Sequence, residues 1–210
     1  MPDRIPENEI QRAFLIAKDA ISNAREYLKD RARLALLTVC ECERELDILE
    51  RKIDENLPSA MTRVGEGKAR ELIAYLQFIT DLERIGDLAV WVVHHLPDSV
   101  TRRDNDVLAE MLALIEHMLE DAYRGFKGRS AECARAILKS DTELDKLRSQ
   151  FFREHLKSRT RVNLEDRVAV LLIAQALERA GDHCTNLAEV VIHLIEHRSV
   201  RHLPRRQLEL

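Results

Sequence analysis

The sequence is poor in the residues that interrupt or cross-link a chain: among 210 residues it has six Gly, five Pro and four Cys. So little Gly and Pro excludes a collagen-like or Pro-rich protein, and 45% hydrophobic beside 33% charged residues excludes a disordered one. The cysteines, Cys40, Cys42, Cys133 and Cys184, form no CxxC pair and no His/Cys zinc spacing. Buried thiols in a reducing cytoplasm are therefore expected. Charge of one sign is also scarce, since 33 Lys and Arg stand against 37 Asp and Glu for a net charge of −4. No global basic field exists to hold nucleic acid. Long apolar runs are missing too: the longest mostly apolar stretches, 168–177 and 88–93, fall far short of the ~20 residues a membrane span needs. Residues 1–9 are charged and carry Pro2 and Pro6, with no apolar stretch behind them that would suit a signal peptide. A cytoplasmic chain, at most peripheral to a membrane, is expected.

What is present is helical periodicity. Apolar residues recur every 3.6 positions almost throughout, and no window alternates with period two for long. The spacing predicts an all-α chain with helices near 7–29, 30–56, 68–96, 104–126, 130–157 and 163–198. Pro58 with Gly65 and Gly67, Pro97 with Asp98 and Ser99, Gly125 with Gly128, and Ser158 to Thr160 punctuate them. No Gly or Pro marks the first junction, near Lys29 and Asp30.

An internal repeat organises these helices. Asp81-Leu82-Glu83-Arg84-Ile85-Gly86-Asp87 recurs as Ala176-Leu177-Glu178-Arg179-Ala180-Gly181-Asp182. Upstream, Glu43-Arg44-Glu45-Leu46-Asp47-Ile48-Leu49 corresponds to Asp141-Thr142-Glu143-Leu144-Asp145-Lys146-Leu147. The offsets are nearly equal and the order is kept. This predicts a tandem repeat of two three-helix bundles packed side by side, over residues 1–99 and 100–198, followed by a basic tail over 199–210.

Each repeat carries two acid-x-x-x-acid pairs, Glu43/Asp47 with Glu83/Asp87 and Asp141/Asp145 with Glu178/Asp182. Residues i and i+4 lie about 40° apart on a helix, so each pair points one way. Leu72, Leu76, Ile79 and Val90 fall within about 40° of Glu83, and Leu36, Val39 and Leu57 within about 40° of Glu43. These acids therefore lie on apolar stripes, and Glu50 and Asp54 extend the first row. In the second repeat Ala134, Ile137 and Phe152 flank Asp141, whereas Glu178 sits at a stripe's margin. An unpaired buried carboxylate costs several kcal/mol. Arg84 and Arg179 project about 100° from the glutamates they follow, and are expected to pair with neighbours instead. If the second and third helices of each unit are antiparallel, their acids form a four-carboxylate cluster suited to divalent Mg, Mn, Fe or Zn. His94, Glu189 and His193 fall close to the same faces as further candidate ligands. Gly86 and Gly181, inside helices, suggest close helix approach.

A bundled di-iron oxidase would need Glu-x-x-His, and no histidine has a glutamate three residues before it. GxSxG, HExxH and GxxxxGK are also missing. A metal-dependent helical-bundle enzyme thus stands second to a non-enzymatic, docking regulator, with a plain helical scaffold third.

Residues 80–90 and 177–189, the two Glu-Arg-x-Gly-Asp segments with their flanks, resemble the paired signatures of the PhoU family of phosphate-uptake regulators. The resemblance runs over nearly the whole chain. It implies two three-helix bundles with metal clusters at Glu43, Asp47, Glu83, Asp87, Asp141, Asp145, Glu178 and Asp182, in a cytoplasmic homodimer. It also implies negative regulation of the high-affinity phosphate ABC transporter and of its sensor histidine kinase. Trp91 stands where the second repeat has Asn186 and the family usually Asn, so one polar contact is not expected beside the first cluster. Short separations between the acid pairs leave a regulator of a different transporter as an alternative. The basic tail, with Arg198, Arg201, Arg205 and Arg206, is read as a solvated end.

Overall fold

A computed structural model describes residues 7–157 and 163–196. The basic tail, the expected end of the last helix at Arg198 and the Ser158 to Thr160 punctuation lie outside them. All regular structure among the described residues is helical: α1 (Glu7–Asp30), α2 (Arg33–Met61), α3 (Glu66–His95), α4 (Arg102–Gly128), α5 (Ala131–Lys157) and α6 (Leu164–Glu196). Helices α1–α3 form one bundle and α4–α6 the other. Across the seam α1 packs on α4 and α3 on α6. These four helices make an inner layer, with α2 and α5 outside it.

One hydrophobic core runs through both bundles. Its centre is aromatic and takes a ring from three helices, with Phe78 of α3 lying 4.8 Å from Phe126 of α4 and 5.7 Å from Phe14 of α1, centroid to centroid. Full burial of such a ring contributes roughly 1.5–3 kcal/mol. The repeats are thus joined through core and not merely linked by residues 96–101.

Among the described residues, three helix starts are capped by side chains. Thr101 accepts a hydrogen bond from Asp104 N at 3.1 Å, Ser130 from Cys133 N at 3.4 Å and Asn163 from Glu165 N at 3.3 Å, which satisfies otherwise orphaned donors.

Three junctions differ from the sequence reading. Helix α2 continues through Pro58 to Met61, because Leu57 is buried and Ala60 and Met61 pack on the core. A Pro in the final turn disturbs few later bonds. Gly67 lies inside α3, and Gly125 and Gly128 lie inside α4. The turn after α4 is made instead by Arg129 in the left-handed region, φ 49°. The unmarked first junction uses the same device: Arg31 has φ 58°. The offset that carries Glu43 to Asp141 also carries Arg31 to Arg129, so the repeat includes its turn. Arg31 donates hydrogen bonds to the carbonyls of Leu96 (3.3 Å) and Pro97 (2.8 Å) and stacks over Tyr27. These contacts offset the roughly 1–2 kcal/mol that a left-handed non-Gly residue costs.

Candidate metal centre

Leu46 and Leu144 are fully buried on the inner sides of α2 and α5, and each is faced by a glycine. A Cβ on Gly86 would stand 2.6 Å from Leu46 Cδ1 and 3.8 Å from Glu43 Cα. A Cβ on Gly181 would collide in the same way with Leu144 and lie 3.6 Å from Asp141 Oδ1. Both glycines therefore let the acid-bearing helices approach closely, as the repeat suggested. Each acid row is carried to the seam of its helix pair by this approach.

In the first repeat the structure brings all four predicted acids into one electrostatic neighbourhood. Glu83 is buried, with 7% of its surface exposed. Burial foremost, then the charges of Asp87, Glu50 and Asp47, push its carboxyl up to about 7. Glu43, on the facing helix, is also raised, by burial first and then by Asp47 and Asp87. Glu50 belongs to the same group and accepts a hydrogen bond from Thr80 Oγ1 at 3.0 Å. Asp54, the last of the expected row, is exposed.

Arg84 does not turn to other neighbours. Its Nε lies 3.4 Å from Glu83 Oε2 and its Nη1 3.4 Å from Asp87 Oδ2. The long side chain folds back over the turn, an i,i+3 reach that Cβ direction alone does not forbid. Even so, Glu83 Oε2 is buried without a hydrogen bond.

The second repeat is built differently. Its most buried acid is Asp141, 1% exposed, which faces Gly181. Asp145 is half-buried and Asp182 exposed. Glu178 is raised, by burial first and then by Asp182, with Asp145 adding to it. Arg148 opposes that shift from 3.6 Å, and Gln175 donates a hydrogen bond to Glu178. Arg148 occupies the repeat position of Glu50, so one repeat has a fifth acid where the other has a cation. Charge is partly neutralised from within in the second repeat and left in surplus in the first.

The extra ligand candidates separate. His94 is exposed and sits 3.5 Å from Cys40 Sγ, one end of the α2–α3 seam. His193 Nδ1 is buried without a hydrogen bond. No group of three His, Cys, Asp or Glu side chains among the described residues is gathered closely enough to hold an ion as it stands. The donors nevertheless fit a hard or borderline divalent cation. They are all oxygen, they carry surplus negative charge, and one buried carboxylate oxygen, Glu83 Oε2, accepts no hydrogen bond.

Sequence reasoning missed a polar lock between the repeats. Asp81 of α3 is buried, accepts a hydrogen bond from Asn186 Nδ2 at 3.0 Å and lies 2.8 Å from His183 Nδ1. Its repeat counterpart is Ala176. That break in the repeat, together with a His and an Asn three apart on α6, was the available signal. Asn186 serves this lock, and Trp91, its counterpart, stacks on His95 at 4.2 Å.

A family model described as the PhoU domain matches residues 10–95 and again 108–191. The chain is 26% identical over 199 residues to a phosphate-specific transport system accessory protein PhoU homolog of Thermotoga maritima, covering 90% of this chain and 84% of that one. It is 32% identical over 160 residues to a protein so named from Rhizobium meliloti, covering 71% and 66%. Two crystal structures superpose with TM-scores of 0.82, those of PhoU from Pseudomonas aeruginosa (22% identity, 91% and 95% covered) and from Streptococcus pneumoniae (19%, 92% and 95%).

Proposed function

Because the chain belongs to the PhoU family, we propose that it is a non-enzymatic accessory regulator of a phosphate transport system whose acid seams take up divalent cations. The observation that carries this reading is that the two PhoU-domain matches enclose all eight repeated acids. The names of its relatives, phosphate-specific transport system accessory proteins, support the transport role. In this reading the protein works as a cytoplasmic homodimer. It restrains the high-affinity phosphate ABC transporter through the ATPase subunit and holds the phosphate-sensing histidine kinase off.

Glu43, Asp47, Glu83 and Asp87 would hold metal in the first repeat, and Asp141, Asp145, Glu178 and Asp182 in the second. Mg, Mn, Fe and Zn all suit such donors. A bound cation would supply charge neutralisation and cross-link the two helices of its seam. The Glu83 oxygen that accepts no hydrogen bond and the surplus charge around it support the first repeat as the stronger site.

Complementation tests both halves. A deletion strain should express phosphate-starvation genes in phosphate-rich medium, and the wild-type gene should silence them. The Glu83→Gln, Asp87→Asn variant, purified without chelator, should lose metal from the first repeat while the second keeps its own. Unchanged starvation-gene expression on deletion would sink the regulatory role. Metal content equal to wild type would sink the assignment of the site.

A further inference from the structure

On the face where α3 and α6 cross the seam, a groove of about 670 Å³ runs between residues 84–95 of α3 and 172–183 of α6. Its apolar lining includes Leu88, Val90, Trp91 and Leu172. The groove continues along α6 as an uncovered apolar stripe one turn apart: Leu172 is 51% exposed, Val168 46% and Leu164 70%. Large apolar side chains repeated at i, i+4 and i+8 on an exposed helix face are not needed for the core, which α6 serves with its other side.

Charge decides what fits there. The charged lining is two arginines, Arg84 and Arg179, against one carboxylate, Asp87, and that carboxylate is already matched by Arg84. Arg179 forms no ion pair among the described residues. The two arginines of the repeated Glu-Arg-x-Gly-Asp segments thus flank one groove, one from each bundle. An apolar floor about three helical turns long with the unpaired Arg179 at its rim is complementary to a helix that is apolar on one face and acidic beside it.

We propose that this groove docks an acidic amphipathic helix of a protein partner, with Trp91 and Leu172 as the apolar anchors and Arg179 as the principal charge contact. The proposal deepens the reading of the chain as a docking regulator and rests on it, but needs no metal.

Trp91 is the sole tryptophan, so its fluorescence reports occupancy directly. The probes are two synthetic helical peptides of about 18 residues with one leucine face, flanked by Glu in the first and by Lys in the second. With the full-length protein, the Glu peptide should shift Trp91 emission saturably, with affinity falling as salt rises. The Lys peptide should bind at least tenfold more weakly. Arg179→Glu and Leu172→Asp, both at exposed positions, should each weaken the Glu peptide at least tenfold while leaving the helical circular-dichroism signal unchanged. Equal binding of the two peptides, or emission unmoved by the Glu peptide, would overturn the proposal. So would self-association that Leu172→Asp abolishes, which would make the face a contact between copies. Adsorption to phosphatidylglycerol vesicles without peptide binding would assign the face to a membrane and overturn it equally. In cells the two levels separate. If deletion switches starvation genes on and Arg179→Glu does not, the docking site is wrong and the regulator stands. If deletion itself changes nothing, the regulator reading fails whatever the peptides do.

Discussion

Glu83 pays for its position, and the penalty has a pH signature. Its carboxyl is ordinary, near 4.5, in the unfolded chain and is pushed up to about 7 in the folded one. Between those values the folded state holds more protons than the unfolded state, so stability falls as pH rises from about 4.5 to about 7 and then levels off. Below 4.5 both states are protonated and the group is neutral to stability. The raised Glu43 and Glu178 carboxyls act in the same direction. Glu83→Gln removes the charge and keeps the shape. In protein stripped with chelator, this substitution should stabilise the fold at pH 8 by on the order of 1–3 kcal/mol, a rise of several degrees in melting temperature. At pH 4.5 it should change little. Thermal melts of the two proteins across this range check it, and a gain of the same size at both ends would show that burial of the ionised carboxylate is not the cause.

Between helices the decisive contacts are the two glycine crossings. Replacing Gly86 by Ala gains about 1 kcal/mol of helix propensity, but the new Cβ meets Leu46 Cδ1 at 2.6 Å and Leu46 is fully buried. Overpacking of that kind costs about 1–3 kcal/mol, so Gly86→Ala should destabilise by about 1 kcal/mol and weaken cation uptake by parting α2 from α3. Gly67→Ala is the control, because nothing lies within 4 Å of its Cβ; it should be neutral or stabilising by a few tenths of a kcal/mol. Denaturant melts of both variants decide it, and equal effects would show that close approach at Gly86 is not what the glycine is for. These crossings were legible in the sequence, since an interior Gly beside an acid pair, repeated in register, has few explanations. The six helices were legible for a similar reason: long 3.6-residue periodicity survives local exceptions. The turns at Arg31 and Arg129 were not, because a left-handed arginine carries no local signal; Arg31, for one, is held by the distant carbonyls of Leu96 and Pro97. Nor was the folding back of Arg84, which depends on the rotamers of a flexible chain, or the inequality of the clusters, which turns on Arg148 standing where its twin has Glu50.

At the level of the whole molecule, the acid seam of the first repeat and the α3–α6 groove are neighbours that share two residues. Asp87 belongs to both, and Arg84 lines the groove while its guanidinium is held by Glu83 and Asp87. A cation taken up by those carboxylates competes with Arg84 for them and cancels negative charge beside the groove. Both effects favour an acidic helix there, so cation and helix should bind with positive coupling, and linkage requires the coupling to be reciprocal. Raising Mn²⁺ from chelated to saturating should tighten the Glu peptide by about fivefold, roughly 1 kcal/mol, read from Trp91 emission. The peptide should tighten Mn²⁺ by the same factor. Arg84→Gln should reduce the coupling by removing the competitor, while Arg148→Gln, in the other repeat, should leave it unchanged. Peptide affinity indifferent to Mn²⁺ would mean that the two sites are adjacent but independent, and that Arg84 serves only to neutralise the buried seam.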